Sequence, residues 1–295
     1  MTGTIILGVG GFYETALDGG ERIRCRLRGR FRKDGMRPLV GDRVRVRVGP
    51  APNGEGVIEE ILPRRSQLTR PPIANVDQVV IVLACAEPEP DRFFLDRLLV
   101  HVFHQGLDAV LCLNKADLVP REQAREWIAP YQEVVRAALI VSARNGWGID
   151  DLTRELRGRI STLAGPSGVG KSALLNAISP DFQRRTGDVS RRLGRGRHTT
   201  RAVELLALPG GGWVADTPGF SQLDVSDIPP EELASLFPDL ARYVPHCRFP
   251  GCAHLKEPDC AVRRAADEGA VPPWRYRHYQ LLMQELLEAQ ARQYR

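Results

Sequence analysis

Three short elements, each closing an apolar run, limit what this chain can fold into. Asn114-Lys115-Ala116-Asp117 comes first, Gly165-Pro166-Ser167-Gly168-Val169-Gly170-Lys171-Ser172 second, and Asp216-Thr217-Pro218-Gly219 third. The runs before them, residues 109–113, 160–164 and 213–215, read as buried strands. Open α/β sheets present ligands at the C-terminal ends of such strands. Residues 75–219 alternate strand and helix patterns throughout, so a doubly wound sheet is expected there.

The second element carries the phosphate chemistry. Its glycines let backbone N–H groups turn inward around phosphate oxygens, and the helix it opens adds partial positive charge. Lys171 is expected to neutralise the β- and γ-phosphates, and Ser172 to ligate Mg²⁺. In the first element, Asp117 can accept from guanine N1–H and the exocyclic amine, donors that adenine lacks at those positions. Asn114 and Lys115 support that loop and base, and Ser142-Ala143-Arg144, after the next apolar run, fits a backbone N–H contact to the guanine carbonyl. In the third, Asp216 is placed to hold Mg²⁺ through water, and the Gly219 N–H to sense the γ-phosphate. An ordinary GTP-binding domain has its phosphate loop first and its guanine reader last; here the pieces are rotated around the chain.

Between the phosphate loop and Asp216 lies an Arg- and Gly-rich stretch containing His198-Thr199-Thr200. Thr200, or else Thr199, is expected to complete the Mg²⁺ shell. Phe220 stands where many GTPases carry a glutamine that orients the attacking water, so unaided hydrolysis should be slow. His198 is the nearby candidate for that task; a loop histidine with another role is the competing reading.

The flanks are different. Residues 22–32 alternate arginine with Ile23, Cys25, Leu27 and Phe31, and Val44, Val46 and Val48 alternate with Arg43, Arg45 and Arg47. Short strands from about residue 10 to 70 suggest a small barrel or sandwich, and the arginine rows suggest a nucleic-acid face, with a merely solvated strand face as the competing reading. From residue 224 onward the pattern is helical around Cys247-x4-Cys252-x-His254-x5-Cys260. Three thiolates and one imidazole form a closed Zn²⁺ set, so the expected metal role is structural. Cys25, Cys85 and Cys112 read as inert thiols. With 43% hydrophobic and 26% charged residues among 295, and a net charge of +5, the composition is that of a mildly basic globular protein. No apolar run approaches the ~20 residues of a membrane helix, and no leader is expected at the N-terminus.

The motif order, together with Arg197-His198-Thr199-Thr200, the Pro209-Gly210-Gly211-Gly212 turn and Asp216-Thr217-Pro218-Gly219-Phe220, resembles the RsgA (YjeQ) family of circularly permuted bacterial GTPases. The resemblance implies three domains. They are an OB-fold RNA-binding β-barrel over residues 1–70, a circularly permuted P-loop α/β GTPase domain over 71–222, and a helical zinc-binding domain over 223–295. It further implies a cytoplasmic, monomeric GTPase acting late in assembly of the small ribosomal subunit and stimulated by it, with rRNA as a partner and no membrane. Carried over by position, Asn114, Lys115, Ala116 and Asp117 bind guanine, residues Gly165 through Ala173 bind the phosphates, and Cys247, Cys252, His254 and Cys260 bind zinc. Arg201 departs from the family by replacing a third small polar residue. Two rival expectations are a nucleotide-gated rRNA-binding scaffold, in which hydrolysis only resets binding, and an ATPase, against which Asp117 argues. Because the Asp216 element runs straight into the C-terminal segment, nucleotide state is expected to reposition the zinc module relative to the barrel.

Overall fold

Strand pairing closes the first five strands on themselves. In the computed structural model, β1 (Thr2–Val9) pairs antiparallel with β2 (Phe12–Leu17), and β2 with β3 (Arg22–Leu27). β4 (Arg43–Val48) pairs with β5 (Gly56–Ile61) and with β1, and a parallel β3–β5 contact completes the circuit. The order 1-2-3-5-4 is that of an OB-like barrel. The structure describes residues 1–28, 37–49, 55–68, 71–180, 203–216 and 225–293; the side chains of Asp216 and Gln293 are outside that description.

The alternation read in β3 and β4 puts Cys25, Val44 and Val46 inside the barrel and the arginines outside. β1 was not legible because it does not alternate. Ile5 and Ile6 are both buried, where the pairing with β2 shifts register between Ile5 and Leu7. The outer arginines differ from the sequence expectation. Arg43 pairs with Asp18 at 2.6 Å, Arg45 with Glu60 at 3.3 Å and Arg47 with Glu59 at 2.8 Å. The β4 row is therefore neutralised by the chain's own acids.

The barrel joins the α/β sheet edge to edge through Leu7 of β1 opposite Glu204. That sheet runs β12 (Glu204–Ala207), β13 (Trp213–Asp216), β11 (Ile160–Ala164), β8 (Gln78–Ala84), β9 (Asp108–Asn114) and β10 (Ala137–Ile140). All neighbours are parallel except β12 and β13. The strand carrying the phosphate loop is central, although it is fourth of these six in the chain. A sheet is defined by strand adjacency, so a rotated chain order leaves the ligand end intact. A short hairpin, β6 (Gln67–Leu68) with β7 (Ile73–Ala74), lies between barrel and sheet in sequence.

β8 shows why the central strands read as unbroken apolar runs. Val79, Ile81 and Leu83 face one side, with α1 (Arg92–His104) and the core that continues into the barrel. Val80, Val82 and Ala84 face the other, with α3 (Ile149–Leu156) and α4 (Lys171–Ile178). Asp91 caps α1 by accepting from the N–H groups of Phe93 and Phe94. α2 (Arg121–Ile128) is a short helix followed by a 3-10 turn, Ala129–Tyr131. Pro130 explains the stop: its ring clashes with the preceding turn and it has no N–H to donate.

The C-terminal part has its own core. It is built from α5 (Pro238–Ala241), α6 (Ala261–Asp267), α7 (Pro273–Gln293) and the 3-10 segment Pro230–Leu236 that the sequence suggested as an ordinary helix. Phe237, Leu240, Val262, Tyr279, Leu282 and Met283 pack together there, against Val100 of α1. The seam with α1 is also ionic. Asp96 of α1 is fully buried and receives Arg275 of α7, Tyr131 Oη at 2.9 Å and His278 Nδ1 at 2.6 Å. Arg275 also forks onto Asp239 at 2.9 and 3.1 Å, and Arg97 onto Glu285. Among the described residues, no helix is long and apolar enough to cross a membrane.

Candidate nucleotide site and metal centre

Asn114, the last residue of β9, holds three loops together. Its Nδ2 donates to the Val169 carbonyl at 2.9 Å, inside the phosphate loop. Its Oδ1 accepts from the Ala143 N–H at 3.1 Å, in the loop after β10. The side chain is 2% exposed, so both bonds are shielded from water. Close packing sets the phosphate-loop glycines. A Cβ on Gly165 would lie 2.0 Å from the Val82 carbonyl, and one on Gly170 would lie 2.4 Å from Asn114 Nδ2. Both also hold positive φ, at 134° and 95°.

Lys171 opens α4 with its ammonium folded over the loop, donating to the carbonyls of Gly165 and Pro166 at 2.8 and 2.7 Å. Burial lowers its pKa, because the charged form loses hydration. Ser167 and Gly168 are exposed, Val169 is buried beneath them, and Ser172 and Ala173 form the exposed first turn of α4. A hydroxyl and a turn of free N–H groups at a helix start suit a phosphate with its Mg²⁺.

The 114–117 loop, expected to read guanine, lies next to these residues. Ser142 Oγ donates to Asp117 Oδ1 at 2.6 Å, and Ser142 itself is fully buried. That bond, followed by the charges of Arg144 and Lys115, holds the Asp117 carboxyl below the usual carboxylate range. Lys115 stands at φ 60° and donates from Nζ to the Glu87 carbonyl, while Ala116 is buried behind it with its N–H on the Val141 carbonyl. The 87–88 loop was not anticipated. Its signal was position: it follows β8, which borders the phosphate-loop strand. Cys85, also after β8, is half-buried, and its thiol is pushed up to about 11 by burial and then by the Asp117 charge. Burial likewise raises Cys25 and Cys112, in keeping with inert thiols.

β13 ends at Asp216, in line with the phosphate-loop strand beside it. His198, Thr199, Thr200, Gly219 and Phe220 lie outside the described residues, as does the Asp216 side chain.

The second candidate centre lies in the C-terminal part. One donor atom from each of Cys247, Cys252, His254 and Cys260 falls within 4.8 Å of the other three. His254 turns Nδ1 toward the thiols, 3.5 Å from Cys247 Sγ and 3.4 Å from Cys260 Sγ. The knuckle is shaped from outside. Glu257 accepts from the N–H groups of Ala253, Leu255 and Lys256, Tyr276 Oη donates to the His254 carbonyl, and Tyr279 Oη to that of Ala253. Three sulfurs and one imidazole nitrogen gathered this closely could hold a metal ion.

Known proteins match this arrangement along its whole length. A model described as the RsgA N-terminal domain matches residues 2–58, and one described as the RsgA GTPase matches residues 61–226. A protein of Moorella thermoacetica named small ribosomal subunit biogenesis GTPase RsgA is 50% identical over 97% of this chain and 98% of its own. One of the same name from Caldanaerobacter subterraneus subsp. tengcongensis is 46% identical over 100% and 99%. The crystal structure of YjeQ from Thermotoga maritima superposes with a TM-score of 0.84 at 37% identity, over 97% of this chain and 98% of that one. The structure of YloQ, described as a circularly permuted GTPase, gives 0.82 at 37% identity, over 97% and 95%. With a barrel, a rotated α/β domain and a Cys/His knuckle in these positions, the chain belongs to the RsgA family of circularly permuted GTPases.

Proposed function

We propose that this GTPase hydrolyses GTP to GDP and phosphate during late maturation of the small ribosomal subunit, and that the subunit stimulates it. The observation that supports the reading is the Asn114 clasp, whose bonds to the Val169 carbonyl and the Ala143 N–H join the three loops despite their order in the chain. Asp117, oriented by Ser142, takes the guanine N1–H and amine; because the Ser142 and Ala143 N–H groups already donate to the Trp147 carbonyl and Asn114 Oδ1, Arg144 of the same loop is the residue for the guanine carbonyl. Backbone N–H groups of 165–173 take the phosphates, and Lys171 exchanges its two loop carbonyls for phosphate oxygens. Ser172, Asp216 and Thr200 are the residues for Mg²⁺, which when bound spreads the charge developing on the transferred phosphoryl group. Gly219 senses the γ-phosphate, and His198 orients the water in place of the glutamine that Phe220 replaces.

Cys247, Cys252, His254 and Cys260 hold one Zn²⁺ as a structural ion, since four protein ligands leave no open position. rRNA is the surface met on the subunit, and the cytoplasm is the compartment. The domains divide near residues 70 and 222. The test is GTP turnover with and without small subunits. Slow turnover accelerated at least tenfold by subunits is expected; turnover indifferent to them refutes the ribosomal role.

A further inference from the structure

Arg92 sits where a cation does nothing for its own helix. It is the first residue of α1, where the partial positive charge of the free N–H groups opposes it. What holds it is aromatic. Its guanidinium carbon lies 4.5 Å from the ring centre of Trp127, 4.6 Å from that of Trp274 and 5.6 Å from that of Tyr131. Nη2 donates to the Trp127 carbonyl at 2.8 Å. Nη1 is buried without a hydrogen-bond partner among the described residues, so ring faces carry that part of the charge. The three rings come from two places. Trp127 and Tyr131 follow the 114–117 loop in the chain, whereas Trp274 belongs to α7 of the C-terminal part. One turn further along α1, Asp96 receives Arg275 and His278 of the same helix α7.

The other side of this joint reaches the candidate nucleotide site. α1 starts straight after residues 85–91, and Asp91 fixes that start as its N-cap. The Cys85 N–H donates to the Asn114 carbonyl at 2.7 Å, and Lys115 Nζ donates to the Glu87 carbonyl. A Cβ built on Gly168 would lie 3.9 Å from Pro88 Cδ. Glu87 and Lys115, the two partners of the middle contact, both stand in the left-handed region, at φ 53° and 60°. Residues other than glycine keep such a backbone only where their surroundings fix it. With residues 85–91 pinned at both ends, a displacement of α1 displaces Glu87 against Lys115 and Pro88 against the Gly-rich loop.

We propose that Arg92 and Asp96 are positioning residues for the nucleotide site: α7, docked on them, sets the 85–91 loop against Lys115 and Gly168, so nucleotide binding and docking of the C-terminal part are coupled. The proposal rests on the nucleotide-site reading above and gives that site a route to the C-terminal part separate from Asp216. Coupling of this kind is reciprocal. What docked α7 adds to nucleotide affinity, bound nucleotide adds to the hold of α7 on α1.

The experiment combines GDP affinity of the full chain, read with a fluorescent analogue, and hydrogen exchange. Trp274→Ala removes one face of the Arg92 clamp and is expected to weaken GDP binding about fivefold. Trp274→Phe restores a ring and is expected to stay within about twofold of the wild type. Tyr279→Phe is the control, because it strips a hydroxyl bond to the Ala253 carbonyl on the knuckle side of the same helix and leaves the clamp intact. It is expected to lower stability while GDP affinity stays within about twofold. In the wild-type chain, GDP should slow amide exchange in residues 274–279 by about the same fivefold, a readout that needs no variant to fold. Equal losses of affinity from Trp274→Ala and Tyr279→Phe, no loss from Trp274→Ala, or exchange in 274–279 indifferent to GDP would each overturn the coupling while leaving the nucleotide site intact. A wild-type chain that binds no guanine nucleotide would overturn both.

Discussion

Asn114 Nδ2 donates to the Val169 carbonyl across 2.9 Å, so the end of β9 is tied to the Gly-rich loop 55 residues later in the chain. Asn114→Ala would strip a buried carbonyl and the buried side of the Ala143 N–H of their partner, at about 1–3 kcal/mol each. Nucleotide affinity is expected to fall at least tenfold, measured with a fluorescent GDP analogue, and the melting temperature to fall with it.

The same contact orders the effects of two glycine substitutions. Gly170→Ala places a methyl 2.4 Å from Asn114 Nδ2 at φ 95°. Gly168→Ala at φ 81° meets nothing closer than Pro88 Cδ at 3.9 Å and bears only backbone strain. GDP binding should be abolished by the first and only reduced by the second. Equal losses would mean that the clasp is not what limits the loop.

Asp117 gives the pH dependence. Its folded pKa is lowered, first by the Ser142 hydroxyl, so the ionised form persists below the ordinary carboxylate range. On the proposed reading, guanine binding by the carboxylate is expected to persist through the ordinary carboxylate range and to be lost only as pH falls through the lowered folded pKa. In Ser142→Ala the loss should begin at higher pH. Titrations of GDP affinity on the two proteins between pH 6 and the acid limit of folding would show it, and superimposable curves would refute it.

The α1–α7 seam should be costly to open. Arg275→Met leaves the fully buried Asp96 without its guanidinium, and breaking such a pair costs about 3–5 kcal/mol. Chemical unfolding should show that loss, whereas the half-exposed Arg43–Asp18 pair should contribute at most about 1 kcal/mol. The seam also bears on the expected repositioning of the C-terminal part with nucleotide state. Any nucleotide-driven displacement of the C-terminal part has to carry α1 with it or break this network.

Metal removal offers a separate test of the knuckle. One zinc per chain is expected by elemental analysis, with Cys260→Ser lowering it well below one. Strong chelation should melt the C-terminal helices, seen as a loss of helical circular dichroism, because Cys260 also caps α6 through the Arg263 N–H. Full helicity after complete zinc loss would argue that the donors cluster for other reasons.

The sequence by itself determined the elements whose chemistry is local. A glycine-rich loop before a helix, an Asn-Lys-x-Asp after an apolar strand and four soft ligands within a short span each carry their meaning in neighbouring residues. Strands such as β8 were legible because burial on both faces writes a continuous apolar run. Tertiary structure alone decided what depends on distant partners. Arg45 looked like Arg24 in sequence, yet Glu60 on the adjacent strand neutralises one and no acid meets the other among the described residues. Asp96, Asp239 and Arg275 are scattered across 180 residues, and only the packing of α7 on α1 turns them into one buried network. Charge pairing and hydrogen bonding act through space, and strand adjacency, which sets that space, is not written in the order of the chain.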